Sequence, residues 1–160
     1  MFRRLIVFIS TIAFSSGLIL SMSKKYDITL WGATGFTGQL AARYLAKEYG
    51  SLKVCLAGRS MSKLREIQEN FNLNKFDLAV ADINDSESLD ILTSASKVLM
   101  STAGPFAKIG APIVDSCMRS STHYVDITGE PQYVRSLIDR HHEEASIKGT
   151  LLFIFAFQLT

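Results

Sequence analysis

The stretch Trp31-Gly32-Ala33-Thr34-Gly35-Phe36-Thr37-Gly38 decides the fold. It follows a short β-rich run, Tyr26 to Trp31 (YDITLW), and opens a segment with helical spacing over 36–49. Three glycines in this setting have separate uses. Gly32 permits the tight turn out of a strand, Gly35 lets the backbone approach an anion, and Gly38 lets the helix lie close against a sheet. A helix N-terminus presents free N–H groups and a positive dipole end, so phosphate is the chemistry it suits. Residues Gly32, Ala33, Thr34, Gly35, Phe36, Thr37 and Gly38 are therefore the expected cradle of a dinucleotide pyrophosphate.

Working outward, apolar runs at 53–57, 78–81, 97–103, 123–128 and 151–157 alternate with helical patterns. In the first helix Leu40, Tyr44 and Leu45 are expected to face inward. Helices are also expected over 62–71, from a cap at Asp85-Ser86-Glu87-Ser88, and over 111–119 and 132–147. In the last of these Val134, Leu137, Ile138, His141 and Ala145 form the expected inner stripe. Six strands alternating with helices predict an α/β doubly wound parallel sheet of Rossmann type, with its ligand crevice at the carboxyl ends of strands one and four.

Composition agrees with one such domain. The 160 residues are 48% hydrophobic and 20% charged, which excludes disorder. Lys+Arg 17 against Asp+Glu 15 leaves +2, too balanced for a protein that binds nucleic acid by neutralising phosphates. Cys55 and Cys117 have no zinc spacing and are expected as buried free thiols.

The end of the second strand selects the nucleotide. An NAD site usually places an acidic residue there for the ribose hydroxyls, whereas this chain has Ala57-Gly58-Arg59-Ser60. A guanidinium at Arg59 fits a 2′-phosphate, so NADP (as NADPH) is the expected cofactor, with Ser60 beside it. Asp82 ends the third strand and is read either as an adenine contact or as a helix cap. Ser101 to Phe106 ends the fourth strand, and its small residues Ala103 and Gly104, with Pro105, leave room for the nicotinamide half. Asp126, Thr128 and Glu130 end the fifth strand on the same edge, as supporting groups, substrate contacts or ordinary polar strand ends. Tyr49 and Lys53 match a reductase pair in spacing, but they fall at the wrong end of the sheet. His141 and His142 are adjacent on a helix and cannot form an i, i+4 metal pair. No catalytic residue is assigned.

Four separated segments, Trp-Gly-Ala-Thr-Gly-Phe-Thr-Gly, Leu-Ala-Gly-Arg-Ser, Thr-Ala-Gly-Pro-Phe and Tyr-Val-Asp-Ile-Thr-Gly-Glu, occur in this order across residues 26–150. In them the chain resembles the saccharopine dehydrogenase-like oxidoreductases, a family that includes trans-acting enoyl reductases of glycolipid synthesis. The resemblance implies an NADP-binding domain, with Gly32 to Gly38, Arg59 and Ala103 to Pro105 at the cofactor positions. It also implies hydride transfer to a small-molecule or lipid substrate, and association with lipid droplets, endoplasmic reticulum or mitochondria. Family chains continue past the sixth strand into a substrate domain. This sequence ends at Thr160, so it is expected as a truncated form whose alternative role is non-catalytic NADP sensing.

Residues 1–25 are read apart from the domain. Arg3 and Arg4 precede Leu5 to Met22, which carries no charge, and Lys24 and Lys25 follow. As a helix, these eighteen residues span about 27 Å, close to a hydrocarbon core. A membrane anchor with a cytosol-facing domain, a cleaved signal and a dispensable extension before a start at Met22 all fit. On translocation, Asn84-Asp85-Ser86 would be a glycosylation acceptor. An anchored chain is expected to sediment with membranes, to resist high salt and to be released by detergent, because apolar insertion is not screened. Recovery of the full-length chain in the soluble fraction would overturn the anchor reading.

Overall fold

Side chains alternate across a strand, so a strand of consecutive apolar residues is buried only when both faces of its sheet are covered. Leu30 with Trp31, and Leu56 with Ala57, have this character. The computed structural model, which describes residues 23–154, contains the arrangement they call for. The strands are β1 (Tyr26–Trp31), β2 (Val54–Gly58), β3 (Asp77–Val80), β4 (Ser96–Ser101), β5 (His123–Asp126) and β6 (Leu152–Ile154). They form one sheet in the order β3-β2-β1-β4-β5-β6, and every neighbouring pair is parallel. The helices are α1 (Phe36–Glu48), α2 (Met61–Asn70), α3 (Ser86–Ser94), α4 (Phe106–Ile109), α5 (Ala111–Arg119) and α6 (Pro131–Lys148).

Two separate apolar clusters follow from the alternation. Leu30 and Leu56 pack with Ala42 and Leu45 of α1 and with Leu64 and Ile67 of α2. Trp31, Ala57 and Leu99 pack with Leu89 and Leu92 of α3, with Ile113, Val114 and Cys117 of α5, and with Leu137 of α6. The sheet is therefore covered on both faces, as a doubly wound fold requires. Trp31 stands opposite Ala57 on one side and Ser101 on the other. The carboxyl ends of β2, β1 and β4 are thus level, and strand order reverses between β1 and β4.

Several sequence expectations are corrected. The inner face of α1 is Gly38, Ala42 and Leu45, while Leu40 and Tyr44 are exposed. The close approach of α1 to the sheet leaves room only for small side chains near its start. On α6 the buried stripe is Tyr133, Leu137 and His141, and Ile138 stands outside it. One residue corresponds to roughly 100° of helical rotation, which turns Ile138 away from the sheet. The turn α4 was not expected as a helix. Both cysteines are free and buried, and burial pushes the Cys55 thiol up to about 12 and raises Cys117 as well.

Lys24 and Lys25 belong to the domain rather than to a basic flank. Lys24 Nζ donates to Ser120 O and Thr122 Oγ1, each at 2.8 Å, close to the C-terminal end of α5. Lys25 pairs with Asp77 at 2.8 Å. The apolar N-terminal segment and the end of the 151–157 run lie outside the described residues. Among the described residues, no helix is long and apolar enough to cross a membrane.

The contact between α1 and the turn after β1 is the tightest in this framework. A Cβ at Gly38 would collide with the Gly32 carbonyl oxygen and sit 2.8 Å from Ala33 Cα. Both obstacles are backbone, so neither can swing aside. Gly38→Ala is expected to lower stability by about 1–3 kcal/mol through overpacking. Gly35→Ala, whose nearest neighbour would be 3.4 Å away, is expected to melt within a degree or two of the parent. Thermal melts of the two variants side by side check this, and equal stabilities would contradict it.

Candidate functional site

The turn after β1 is held by the strands beside it. Gly32 has φ +82°, a conformation that L side chains rarely adopt, and its Cβ would come within 2.9 Å of Ala103 Cβ. Gly32 N and Ala33 N both donate to Ala57 O of β2, at 3.0 and 3.2 Å. Thr102 closes the other side, donating from N and Oγ1 to Trp31 O at 3.0 and 3.1 Å. Gly35 N returns to Gly32 O at 3.0 Å, and Gln39 Nε2 holds Thr34 O at 3.1 Å. The loop carbonyls are thereby drawn into bonds within the protein.

What remains is the start of α1. Gly35 is its N-cap, no side chain caps it, and its first turn carries no acidic residue. The N–H groups of Phe36, Thr37 and Gly38 have no acceptor within the helix. By contrast, α2 is capped by Ser60, and α3 by Asp85, which accepts from Glu87 N and Ser88 N. An uncapped positive end above a glycine turn suits an anion that arrives from outside.

This start opens onto a cleft of about 410 Å³ along the carboxyl ends of the strands. Gly58 and Arg59 line its β2 side, Gly32, Thr34 and Gly35 its centre, and Thr102, Ala103 and Gly104 its β4 side. Ile83, just past β3, and Ile109 of α4 supply aliphatic surface near its two ends. Arg59 is exposed and is the only ionisable residue of this lining among the described residues.

Not every expected residue contributes in the same way. Ala33 packs into the core with its N–H taken by Ala57, so it shapes the turn without reaching a ligand. Phe36 and Thr37 are exposed, Phe36 offering a backbone donor and Thr37 its hydroxyl besides, while Gly38 is buried against the turn. Ser60 spends its hydroxyl as the cap of α2, accepting from Lys63 N at 3.4 Å. Asp82 is neither a wall of this cleft nor the cap of α3, since its Oδ1 accepts from Asn84 N and Nδ2, each at 2.9 Å. Pro105, after a cis peptide bond, is the N-cap of α4. Sequence reading missed Ile83, Ile109 and Gln39, and it placed Thr102 at the crevice without its bonds to the turn. An aliphatic residue directly after Asp82 was the available signal for Ile83.

The polar end of β5 turns away from the cleft and into the protein. Asp126 is buried, and its Oδ1 accepts from Thr128 N at 3.1 Å while its Oδ2 accepts from Tyr124 OH at 2.8 Å. Burial pushes the Asp126 carboxyl above the usual carboxylate range. Glu130 N donates to Thr128 Oγ1 at 3.2 Å, and the Glu130 carboxylate accepts from Phe106 N and Ala107 N at 2.8 and 3.1 Å. Tyr49 is exposed at the far end of α1, packed edge-on against Tyr44. His141 bonds Asp115 at 3.0 Å, and no cluster able to hold a metal occurs among the described residues.

Known proteins share this architecture. The chain is 37% identical over 133 residues to a trans-acting enoyl reductase of Mycobacterium leprae, covering 82% of this chain and 32% of that protein. It is 35% identical over 133 residues to a trans-acting enoyl reductase of Mycobacterium tuberculosis, with the same coverages. The chain thus spans about a third of the length of these curated relatives. Among solved structures, apo saccharopine dehydrogenase (L-Glu forming) of Saccharomyces cerevisiae superposes with a TM-score of 0.59 at 20% identity, over 70% of this chain and 24% of that one. Yeast methylglyoxal/isovaleraldehyde reductase in complex with NADPH superposes with a TM-score of 0.54 at 24% identity, over 64% and 37%. At these identities the likeness establishes the fold. Residues 28–152, from within β1 to the start of β6, match the saccharopine dehydrogenase NADP binding domain family, and the chain belongs to it.

Proposed function

We propose that this chain holds NADPH along the cleft and presents its nicotinamide for hydride transfer within a saccharopine dehydrogenase-like oxidoreductase. The observation that carries this reading is the uncapped start of α1 at the strand-order reversal, framed by Gly32, Gly35 and Gly38. In it the pyrophosphate lies on the N–H groups of Phe36 and Thr37. The adenosine half extends over Gly58 with Ile83 beside the base, and Arg59 faces the 2′-phosphate. The nicotinamide half lies over Thr102 to Gly104. When bound, the cofactor supplies the hydride, while the protein contributes position and electrostatics. The substrate class suggested by the relatives' name is an activated carbon–carbon double bond on a small molecule or lipid.

A second reading, a module that binds the dinucleotide without turnover, is favoured by the cleft lining, where Arg59 is the one ionisable group among the described residues. Attachment to a membrane is supported by the uncharged run Leu5 to Met22. Lys24 and Lys25 lend it nothing, since both are engaged within the domain.

Calorimetry on the full 160-residue chain is expected to show tighter binding of NADPH than of NADH. Arg59→Ala is expected to remove most of that preference, because a charge-assisted contact contributes roughly 1.5–3 kcal/mol, about ten- to a hundredfold in affinity. Equal affinities of the parent for the two cofactors would defeat the assignment of Arg59.

Gly35→Val tests the phosphate seat. Gly35 is exposed with φ −76°, so a side chain strains nothing in the backbone, yet it would stand where the pyrophosphate must approach. Loss of NADPH binding with an unchanged circular dichroism spectrum is expected. Undiminished binding would place the phosphates elsewhere.

A further inference from the structure

The carboxylate of Glu130 bridges two parts of the protein that lie 24 residues apart in sequence. It accepts from Phe106 N and Ala107 N, the first two N–H groups of α4. That position joins both elements at the β4 end of the cleft: the Thr102–Gly104 loop directly precedes it, and Ile109 ends the same helical turn. Glu130 is itself fixed from β5, because its N–H is held by Thr128 Oγ1, and Thr128 N is held by the buried Asp126. Phe106 is pinned from α6, where Tyr133 packs with its ring centroid 6.3 Å away. A loop carrying Gly104 and a four-residue helix has little stability of its own, since one turn fixes several dihedrals for very few bonds. Two charge-assisted hydrogen bonds donated to a fixed carboxylate supply the missing constraint.

We infer that Glu130 is a positioning residue for the nicotinamide half of the cofactor, holding the Ala103–Gly104 loop and α4 in the shape that receives it. This rests on the placement of the nicotinamide in the proposed function. The adenosine half is seated by different elements, at the ends of β2 and β3, so the two halves separate experimentally.

The test compares three ligands on the full-length chain by calorimetry: NADPH, NADP+ and 2′,5′-ADP, which carries the adenosine half alone. Glu130→Ala is expected to weaken NADPH and NADP+ by a similar factor, about tenfold, and to leave 2′,5′-ADP within about twofold. Glu130→Gln, which keeps one acceptor and turns an NH2 group toward the second N–H, is expected to fall between parent and alanine. It also serves if the alanine variant fails to fold. Equal weakening of all three ligands would mean that Glu130 acts through the whole fold, and would overturn the inference. A loss confined to NADP+ would reveal direct contact between the carboxylate and the charged ring, and would overturn it too. Unchanged affinities in both variants would overturn the inference while leaving the cleft assignment standing. A parent chain that binds neither NADPH nor 2′,5′-ADP would overturn the cleft assignment and this inference with it.

Discussion

The Gly32 carbonyl lying under Gly38 is the contact on which the rest of the site depends. Because no Cβ separates them, α1 can start directly above the end of β1 and aim its unpaired N–H groups along the sheet edge. The same closeness decides what lines the inner face of α1, where Gly38 and Ala42 precede the first large buried residue, Leu45. It also explains why the turn is bonded outward. Ala57 O takes the N–H groups of Gly32 and Ala33, and Thr102 takes the carbonyl of Trp31, so the turn is fixed by both neighbouring strands.

Local signals made much of this legible in the sequence. Glycine spacing after a β-rich run predicts the turn, and the Asp85 cap of α3 is written in Asp-Ser-Glu-Ser. What local signals could not decide is which of two apolar faces a helix buries. Leu40 and Tyr44 are larger than Ala42, and a reading by hydrophobic size favours them. The structure favours Ala42 because the distance between α1 and the sheet is already set by Gly38. Ile138 fails for a related reason: it adjoins Leu137 in sequence but stands one helical step away from the buried stripe.

The residues of the site whose role the sequence left open share a different cause. Asp82, Asp126, Thr128 and Glu130 are all polar residues at strand ends, and sequence position alone cannot distinguish a ligand contact from a structural bond. In the fold Asp82 satisfies Asn84, Asp126 satisfies Thr128, and Glu130 satisfies the start of α4. Such assignments rest on partners brought together by the sheet, and the pairing of Glu130 with Phe106 exists only because β5 lies beside β4. Arg59 differs. It forms no ion pair among the described residues, and its position follows directly from β2, so its charge could be read before the structure.

These differences divide the cleft into two halves built on different physical terms. The β1–β2 half is shaped by backbone geometry within a short stretch of chain, where glycine removes side chains and α1 supplies donors. The β4 half has no such local determinant. Its shape comes from a relay of hydrogen bonds running from buried Asp126 through Thr128 to Glu130 and on to α4. Burial raises the Asp126 carboxyl, and the Tyr124 hydroxyl and Thr128 N–H oppose that rise by donating to it. A carboxyl sequestered and bonded in this way is a poor proton carrier but a firm anchor. An anchor under β5 with a small-residue loop above β4 is what the proposed seat of the nicotinamide would draw on.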